Sequence, residues 1–235
     1  VLSRGYKRKT NGFFLLNESH STNDVGDEPL QYFKKFKNIK VAVDTDRTNG
    51  IAQLLKEEYS PEIVLLDDAF QHRKVKGSFY ILLTKYNDLF VDDFLLPTGN
   101  LRESRSGAKR ADVILITKCP ANLDNIQQEK IKNKLEKYYK EIFFTTISYA
   151  DKLSGNKEIS IDELTEHEVL LVTGIANPKP LTAFLTEKDI AFQHLKFPDH
   201  HYFSLTDIQT IQQKFEAINS SKKIILTTEK DYVRL

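Results

Sequence analysis

The chain of 235 residues contains no methionine, no tryptophan and a single cysteine, Cys119. One cysteine excludes an internal disulfide framework and is typical of proteins from a reducing compartment. No apolar run approaches the roughly 18 residues that a membrane-spanning helix needs, and no signal peptide is apparent. Lys and Arg total 34 and Asp and Glu total 33, so the charge balance gives no indication of a nucleic-acid partner.

The sequence also lacks a glycine-rich phosphate loop. None of its nine glycines fits G-x-x-x-x-G-K-[ST] or G-x-G-x-x-G, the motifs in which backbone N–H groups cradle phosphates. The chain starts at Val1-Leu2-Ser3-Arg4-Gly5-Tyr6, a pattern typical of the end of a strand. We therefore expect that the natural N-terminus is missing from this sequence.

Apolar runs alternate with helix-like segments, and this alternation predicts an α/β fold with crossover helices. Before residue 150 the pattern predicts strands at 13–16, 39–43, 63–66, 79–83, 113–117 and 142–147, and helices at 29–36, 50–59 and 126–139. After a polar segment it predicts strands at 169–173, 191–195 and 223–227, and helices at 179–188 and 205–218. We expect a first domain over 1–150, a linker or hinge over 151–168, and a second, smaller α/β domain over 169–235 whose end returns to the first.

The most informative stretch is the apolar run that leads into Asp67-Asp68-Ala-Phe-Gln71-His72. Four apolar residues before the two acids predict a strand that is buried on both faces, as in a parallel sheet. Ligands of such sheets bind beyond the carboxyl ends of the strands, where two acids can hold a hydrated Mg²⁺ beside phosphates. The alternative is a strand followed by a polar turn that binds nothing.

Two other acidic pairs are candidates for chemistry. Asp27 and Glu28 precede Pro29 at the start of a predicted helix, where they can cap the helix and favour its dipole, or accept a proton from a substrate. Asp44 and Asp46 follow a predicted strand and resemble the nucleophile and general acid of haloacid-dehalogenase-type phosphatases. The later motifs of that family would come in the wrong order here, so this is the weaker alternative.

A Pro/Gly turn ends in Arg102 and leads into several basic residues. Because a guanidinium group offers a planar fork to phosphate, the segment is either an anion site or a solvated loop. Asp199-His200-His201 precedes another predicted helix, and an Asp–His pair there could tune protonation. A polar loop without function is the alternative for this segment.

The last two polar segments carry helix-capping patterns. Ser204 and Asp207 are predicted to cap the helix at 205–218. Thr228-Glu229-Lys230-Asp231 follows a strand, and it either caps a helix or presents Lys230 to a phosphate or a carboxylate.

Together these motifs resemble the tetraacyldisaccharide 4′-kinases, the lipid A 4′-kinases of Gram-negative bacteria. Singly the motifs are weak, but they occur in the order found in that family and span nearly the whole chain. The segments that carry the resemblance are Ser3-Arg4-Gly5-Tyr6, Val25-Gly26-Asp27-Glu28-Pro29, Leu65-Leu66-Asp67-Asp68-Ala69-Phe70-Gln71-His72, Leu96-Pro97-Thr98-Gly99-Asn100-Leu101-Arg102-Glu103, Asp199-His200 and Thr228-Glu229-Lys230-Asp231.

The resemblance implies an α/β fold with a P-loop-NTPase-like parallel-sheet domain and a second, smaller α/β domain, joined by a hinge. It implies transfer of the γ-phosphoryl group of ATP, with Mg²⁺, to the 4′-hydroxyl of a tetraacyldisaccharide 1-phosphate, which gives lipid IVA in lipid A biosynthesis. The family carries its P-loop immediately before the Ser-Arg-Gly-Tyr motif and a membrane-associating helix at its N-terminus, so we expect both upstream of Val1. The implied partners are the lipid disaccharide acceptor and the cytoplasmic face of the bacterial inner membrane, where the protein would be peripheral.

The resemblance also implies roles for individual residues. Asp27 would be the base that takes the proton of the sugar hydroxyl, and His200 would assist it from the second domain. Because these two residues fall in different predicted domains, we expect the pair to form only when the domains close over the substrates. Asp67 would hold Mg²⁺ and Asp68 would support the metal or the substrate. The other implied site residues are Glu28 and Gln71, near the cofactor, and Arg4, His72 and Arg102, as substrate contacts.

Three functions are compatible with the residues. The first is the lipid A 4′-kinase, the second is a phosphatase that uses Asp44 and Asp46, and the third is a nucleotide- or lipid-binding module without catalysis. A P-loop in the sequence before Val1 would distinguish the first from the others. A phosphatase would instead hydrolyse a phosphomonoester without ATP, and a binding module would turn over neither substrate.

Overall fold

The computed structural model describes residues 1–58, 60–138, 140–156 and 158–235. Tertiary contacts divide the chain into two compact units, which we call unit 1 (Val1–Leu65 with Ala150–Leu235) and unit 2 (Leu66–Tyr149). The ends of the helices predicted at 50–59 and 126–139 fall on Tyr59 and Tyr139, and the predicted linker includes Lys157; these three residues lie outside the described part.

Unit 1 begins with a small sheet and three helices. Strands β1 (Leu2–Ser3), β2 (Phe14–Leu15) and β3 (Ala42–Val43) form a sheet of order β1-β3-β2, in which β1 is parallel and β2 antiparallel to β3. Helices α1 (Thr22–Val25), α2 (Asp27–Lys35) and α3 (Arg47–Leu54) connect and follow these strands. The buried side chains of this part include Leu16, Val25, Leu30, Val41 and Val43.

Unit 2 contains a parallel sheet of order β4-β5-β6, formed by Ile81–Lys85, Val113–Cys119 and Glu141–Thr146. Helix α4 (Asn125–Leu135) and two 3₁₀ segments (Arg105–Arg110 and Glu136–Tyr138) complete it. One face of the sheet joins a core that includes Ile114, Ile116 and Leu135. Other apolar side chains of this sheet, such as those of Ile81 and Leu83, are exposed.

The chain then returns to unit 1. The segment predicted as a linker holds a short antiparallel pair, β7 (Lys152–Leu153) and β8 (Ile159–Ser160), and a 3₁₀ segment, Asp162–Glu166. A parallel sheet of order β10-β9-β11 follows, with β9 (Glu168–Thr173), β10 (Phe192–Lys196) and β11 (Lys223–Thr227). Its helices are α5 (Lys179–Glu187), α6 (Leu205–Glu216) and α7 (Glu229–Tyr232). The parallel sheets and their connecting helices confirm the predicted α/β class.

The compact units are bounded differently from the expected domains. Residues from Ala150 to the end of the chain join residues 1–65 in one unit, whereas the prediction placed 1–150 in one domain and 169–235 in another. The reason is packing at the C-terminus: α7 contacts α2, and Val233 packs against the core around Val25 and Val43. The end of the chain therefore packs against residues near its beginning.

The apolar run before Asp67 does not form the doubly buried strand predicted at 63–66. No strand of the described chain includes it, and Ile63 and Leu65 are 75% and 62% exposed. Leu65 C=O accepts a hydrogen bond from Leu2 N–H at 2.8 Å, but β1 ends at the next residue. A strand is held by a ladder of repeated hydrogen bonds to its neighbour. Because β1 is only two residues long, it cannot form such a ladder with residues 63–66.

No helix in the described part of the chain is both long and apolar enough to cross a bilayer.

Candidate active site

The central feature of unit 1 is a hydrogen bond between Asp27 and His200. Nδ1 of His200 lies 2.8 Å from Oδ2 of Asp27, and both side chains are largely buried. The two residues are 173 positions apart in sequence but belong to the same compact unit. The packing of α7 on α2 lies beside this contact, and the expectation that the pair forms only on closure over the substrates stays a prediction.

Gly26 and the nearby Tyr6 backbone explain why Asp27 is the first residue of α2. Gly26, the residue before the helix, has φ of 92°, a conformation that side chains rarely adopt. A Cβ on Gly26 would lie 3.0 Å from the carbonyl oxygen of Tyr6. Asp27 is thus the first helical residue rather than the cap, and its Oδ1 accepts from the Glu28 N–H at 3.0 Å.

His200 also has an unusual backbone. Its φ is 55°, in the left-handed region, and its N–H donates to the carbonyl of Gly174 at 3.1 Å. The ring of Tyr6 approaches the imidazole edge-on, with centroids 5.5 Å apart. Left-handed non-glycine residues are often found at functional sites, where the surrounding structure holds them in place. This observation supports a functional role for His200.

The second ring nitrogen of His200 faces Lys230. Nζ of Lys230 lies 3.3 Å from Nε2 of His200 and 3.4 Å from Oε1 of Glu28. Lys230 is on α7, which Thr228 caps by accepting a hydrogen bond from the N–H of Asp231. The expectation that this motif caps a helix is confirmed, and its lysine does meet a carboxylate.

A buried ion pair anchors α7 beside the site. Asp231 is fully buried, and its Oδ2 accepts hydrogen bonds from Gly174 N–H at 3.0 Å and from the Thr228 hydroxyl at 2.8 Å. Arg234, 5% exposed at its side chain, lies 3.4 Å from Asp231 and 3.3 Å from Oδ2 of Asp27. The sequence motifs did not identify Arg234 as part of the site; the signal available was its place three residues after Asp231, the last residue of the Thr228–Asp231 motif.

His201 turns away from the pair. Its Nε2 lies 3.0 Å from Oδ2 of Asp207, and its ring stacks on Phe197 at 4.8 Å. Hydrogen bonds from Ser204 lower the pKa of Asp207 to about 2, first through its hydroxyl and then through its backbone N–H, with a further contribution from His201. The predicted capping of α6 by Ser204 and Asp207 is confirmed. Arg4, predicted as a substrate contact, is exposed.

The other predicted site residues lie in unit 2. Asp68 has φ of 44°, and its Oδ1 accepts a hydrogen bond from Nη2 of Arg102 at 3.0 Å. Gln71 and Arg102 line a cavity of 470 Å³. Nε2 of His72 is buried and has no hydrogen-bond partner in the described part of the chain. Asp67 is partly buried directly beside Asp68.

The donor set of unit 2 fits Mg²⁺ bound with the help of phosphates. Mg²⁺ prefers carboxylate oxygens and keeps several waters, and it is usually held by one or two carboxylates plus phosphate groups. Asp67 and Asp68 supply two such carboxylates at adjacent positions of the chain, and that of Asp68 is paired with Arg102. No group of three or more metal-binding side chains occurs among the described residues, so they do not form a complete metal cage.

Asp44 and Asp46 hold local structure. Asp44 is 2% exposed, and its two carboxylate oxygens accept from the Asp46 N–H at 2.9 Å and from Nδ2 of Asn49 at 2.7 Å. The side chain of Asp46 caps α3 by accepting from Thr48 and Asn49. A buried carboxylate with both oxygens engaged is poorly placed to attack a phosphate, which argues against the phosphatase alternative.

Comparison with known proteins gives consistent matches over the whole chain. A family model described as tetraacyldisaccharide-1-P 4′-kinase matches residues 1–235. The tetraacyldisaccharide 4′-kinases of Flavobacterium johnsoniae and Bacteroides thetaiotaomicron are 52% and 44% identical, and the alignments cover all of this chain and 68% and 65% of those proteins. The "apo" form of LpxK from Aquifex aeolicus, solved in complex with ATP, is 31% identical with a TM-score of 0.75, covering 100% of this chain and 69% of that one. The chain therefore spans about two thirds of the length of these relatives.

Proposed function

The chain belongs to the tetraacyldisaccharide-1-P 4′-kinase family, and on that premise we propose how its residues carry out phosphoryl transfer. The activity is ATP-dependent phosphorylation of the 4′-hydroxyl of tetraacyldisaccharide 1-phosphate, a step of lipid A biosynthesis, on a P-loop-kinase-like α/β fold. The observation that carries the assignment of residues is the hydrogen bond between Asp27 and His200.

When bound, ATP supplies the phosphoryl group and Mg²⁺ neutralises charge on its phosphates. Phosphoryl transfer needs little covalent chemistry from a protein, because positioning and charge stabilisation account for most of the rate. The tasks left to this chain are to orient the acceptor, to take the proton of its hydroxyl and to balance charge near the phosphates.

We assign proton acceptance to Asp27. The 4′-hydroxyl oxygen bonds to the γ-phosphorus while the bond from phosphorus to the bridging oxygen of ADP breaks, and the hydroxyl proton moves to the carboxylate. Oδ2 of Asp27 already faces His200 and Arg234, whereas Oδ1 accepts from the Glu28 N–H with no second donor among the described residues. Because a carboxylate oxygen can accept two hydrogen bonds, Oδ1 is the oxygen available to the hydroxyl.

Unit 2 supplies the groups that we assign to the metal and the phosphates. Asp67 would hold Mg²⁺, directly or through water, and Asp68 would support it from its pair with Arg102. Gln71 lines the same cavity as Arg102, and the buried, unpartnered Nε2 of His72 suits a polar group of a substrate. The remaining assignments are Glu28 near the cofactor and Arg4 at the phosphate of the acceptor.

The acceptor is a lipid, and we propose that the protein meets it at the cytoplasmic face of the bacterial inner membrane as a peripheral protein. The support is the chemistry of the substrate, since four acyl chains keep the disaccharide in a bilayer. A nucleic-acid partner is not proposed, because the net charge of the chain is +1.

Kinetics of single and double variants test the assignment. In the intact protein, Asp27→Ala and His200→Ala should each lower kcat by about 10²–10⁴-fold, the range that general-base help supplies, in an assay with labelled ATP and the disaccharide acceptor. The double variant should be little worse than the more damaging single variant, because the two residues act as a unit. His201→Ala is the matched control, since it removes a neighbouring imidazole that bonds Asp207 instead.

The same assay separates the alternatives. Multiplicative losses in the double variant would show independent roles, and unchanged kcat in either single variant would remove that residue from the chemistry. Hydrolysis of a generic phosphomonoester without ATP, lost in Asp44→Asn, would establish the phosphatase instead. Binding of ATP or lipid with turnover of neither would favour a binding module.

A further inference from the structure

Lys230 occupies the one ring nitrogen of His200 that does not face Asp27. Its Nζ is 3.3 Å from Nε2, and Lys230 is only about a quarter exposed, between α2 and the loop that carries His200. The charged and titratable groups around the imidazole are Asp27 at Nδ1, Lys230 and Asp199 at Nε2, Glu28 beyond Lys230, Arg234 beside Asp27, and the ring of Tyr6 at its edge.

The hydrogen-bonding capacity of each partner fixes where the proton of His200 must be. A lysine ammonium has three N–H donors and no acceptor, so its contact with Nε2 requires the lone pair of that nitrogen. An ionised carboxylate only accepts, so its contact with Nδ1 requires a proton on Nδ1. Both contacts are satisfied together by one form of the ring, the neutral Nδ1–H tautomer.

We propose that Lys230 sets the tautomer of His200 and thereby acts as a positioning residue for the Asp27 base. With Nε2 held as an acceptor, the ring must direct its single N–H at Oδ2 of Asp27. That oxygen is then engaged, and Oδ1 remains for the proton of the acceptor hydroxyl. The tautomer follows from the contacts alone, whereas its value for catalysis rests on the proposed function of Asp27.

A purely structural role for Lys230 is the competing explanation. Lys230 also meets Glu28 on α2, but at 3.4 Å and with Glu28 42% exposed, so this ion pair is expected to contribute little. The neighbouring pair Lys35–Glu229 joins the same two helices at 2.8 Å and does not touch His200. Lys35 therefore provides a matched control: its removal weakens the α2–α7 contact and leaves the imidazole alone.

Nitrogen NMR of the intact protein with ¹⁵N-labelled histidine tests the tautomer directly. The ring nitrogens of His200 are identified by their loss in His200→Ala, and N–H and lone-pair nitrogens are distinguished by their chemical shifts. We expect Nδ1 protonated and Nε2 unprotonated in the wild type and in Lys35→Met. In Lys230→Met we expect the other tautomer or the imidazolium to appear, and in Lys230→Arg, which keeps a donor, the wild-type pattern to return.

Kinetics complete the test. Lys230→Met should lower kcat at least tenfold, within the roughly 10²–10⁴-fold that general-base help supplies, with KM unchanged and with Lys230→Arg partly restoring the rate. A proton on Nε2 in the wild type, which needs no variant to fold, would overturn the inference. So would an unaltered tautomer in Lys230→Met, or an altered tautomer with full kcat. Unimpaired turnover in Asp27→Ala would overturn the proposed base and leave the tautomer result standing.

Discussion

Asp231 offers the sharpest test of how the C-terminal helix supports the site. Asp231→Ala removes a fully buried carboxylate and leaves Gly174 N–H and the Thr228 hydroxyl without their acceptor. It also removes the nearby carboxylate of Asp231 from the guanidinium of Arg234, which is 5% exposed and follows α7. Removal of one partner of a buried ion pair typically costs about 3–5 kcal/mol.

The lower end of that range applies to Asp231. The contact between Arg234 Nη2 and Asp231 Oδ1 is 3.4 Å long, and neither atom makes a hydrogen bond in the described part of the chain. Arg234 also keeps Asp27 within 3.3 Å. We therefore expect a loss of about 3 kcal/mol, which corresponds to a fall in Tm of roughly 6–12 °C for a protein of this size.

Thermal unfolding followed by calorimetry measures this change, and Glu229→Gln is its control. Glu229 is next to Lys230 on the same short helix, but its pair with Lys35 is about half exposed, so its loss should cost no more than about 1 kcal/mol. Turnover of Asp231→Ala below its new Tm should also fall, because α7 carries Lys230. A Tm for Asp231→Ala equal to that of the control would refute the anchoring role of the Asp231 carboxylate.

Three further predictions concern single residues. Because the pKa of Asp207 is lower in the folded protein than in the unfolded chain, its carboxylate stabilises the fold at pH values above the ordinary pKa of aspartate. This stability is lost as the pH falls toward about 2, so Asp207→Asn should flatten the acid side of the Tm–pH curve. An unchanged slope would contradict this prediction. Asp67→Ala should abolish nearly all turnover with the circular dichroism spectrum intact, and rates with unchanged Mg²⁺ dependence would make Asp67 structural. Gly26→Ala should lower both Tm and kcat, because a φ of 92° disfavours a side chain and the carbonyl oxygen of Tyr6 lies 3.0 Å from the new Cβ. A Tm and a kcat equal to those of the wild type would show that the turn adapts to the added methyl group.

Periodicity predicted most elements of the fold because it reports local burial. The strand predicted at 223–227 is β11 itself, and β9 and its neighbours lie within a residue or two of their predicted bounds. The failure at 63–66 has a physical cause. An apolar run shows that a segment can be buried as a strand, but a strand also needs a paired neighbour, and a sequence pattern does not reveal which neighbour is present.

Sequence motifs identified some residues of the candidate site and missed others, because motifs report only local features of the chain. Motifs carried Asp27, His200 and Lys230 as candidates, because each follows a helix or strand boundary where polar groups are placed. Arg234 was missed because its role depends on contacts with Asp27 and Gly174, which are distant in sequence. Patterns within a short window report capping and periodicity, whereas partners that lie more than 50 residues apart are set only by the packing of the whole unit.

The contacts of Arg234 also explain why the first and last segments of unit 1 form one compact body. Its guanidinium group donates to the carbonyls of Gly174 and His201 while it lies 3.3 Å from Asp27. One buried side chain thus touches the end of β9, the loop of the histidines and the start of α2. Arg234 thus contacts Asp27 directly and the carbonyl of His201, the residue after His200, so we expect that a displacement of Arg234 would change the distance between Asp27 and His200. If Asp27 is the base, as proposed, substitution of Arg234 should lower kcat more than it changes the affinity for either substrate.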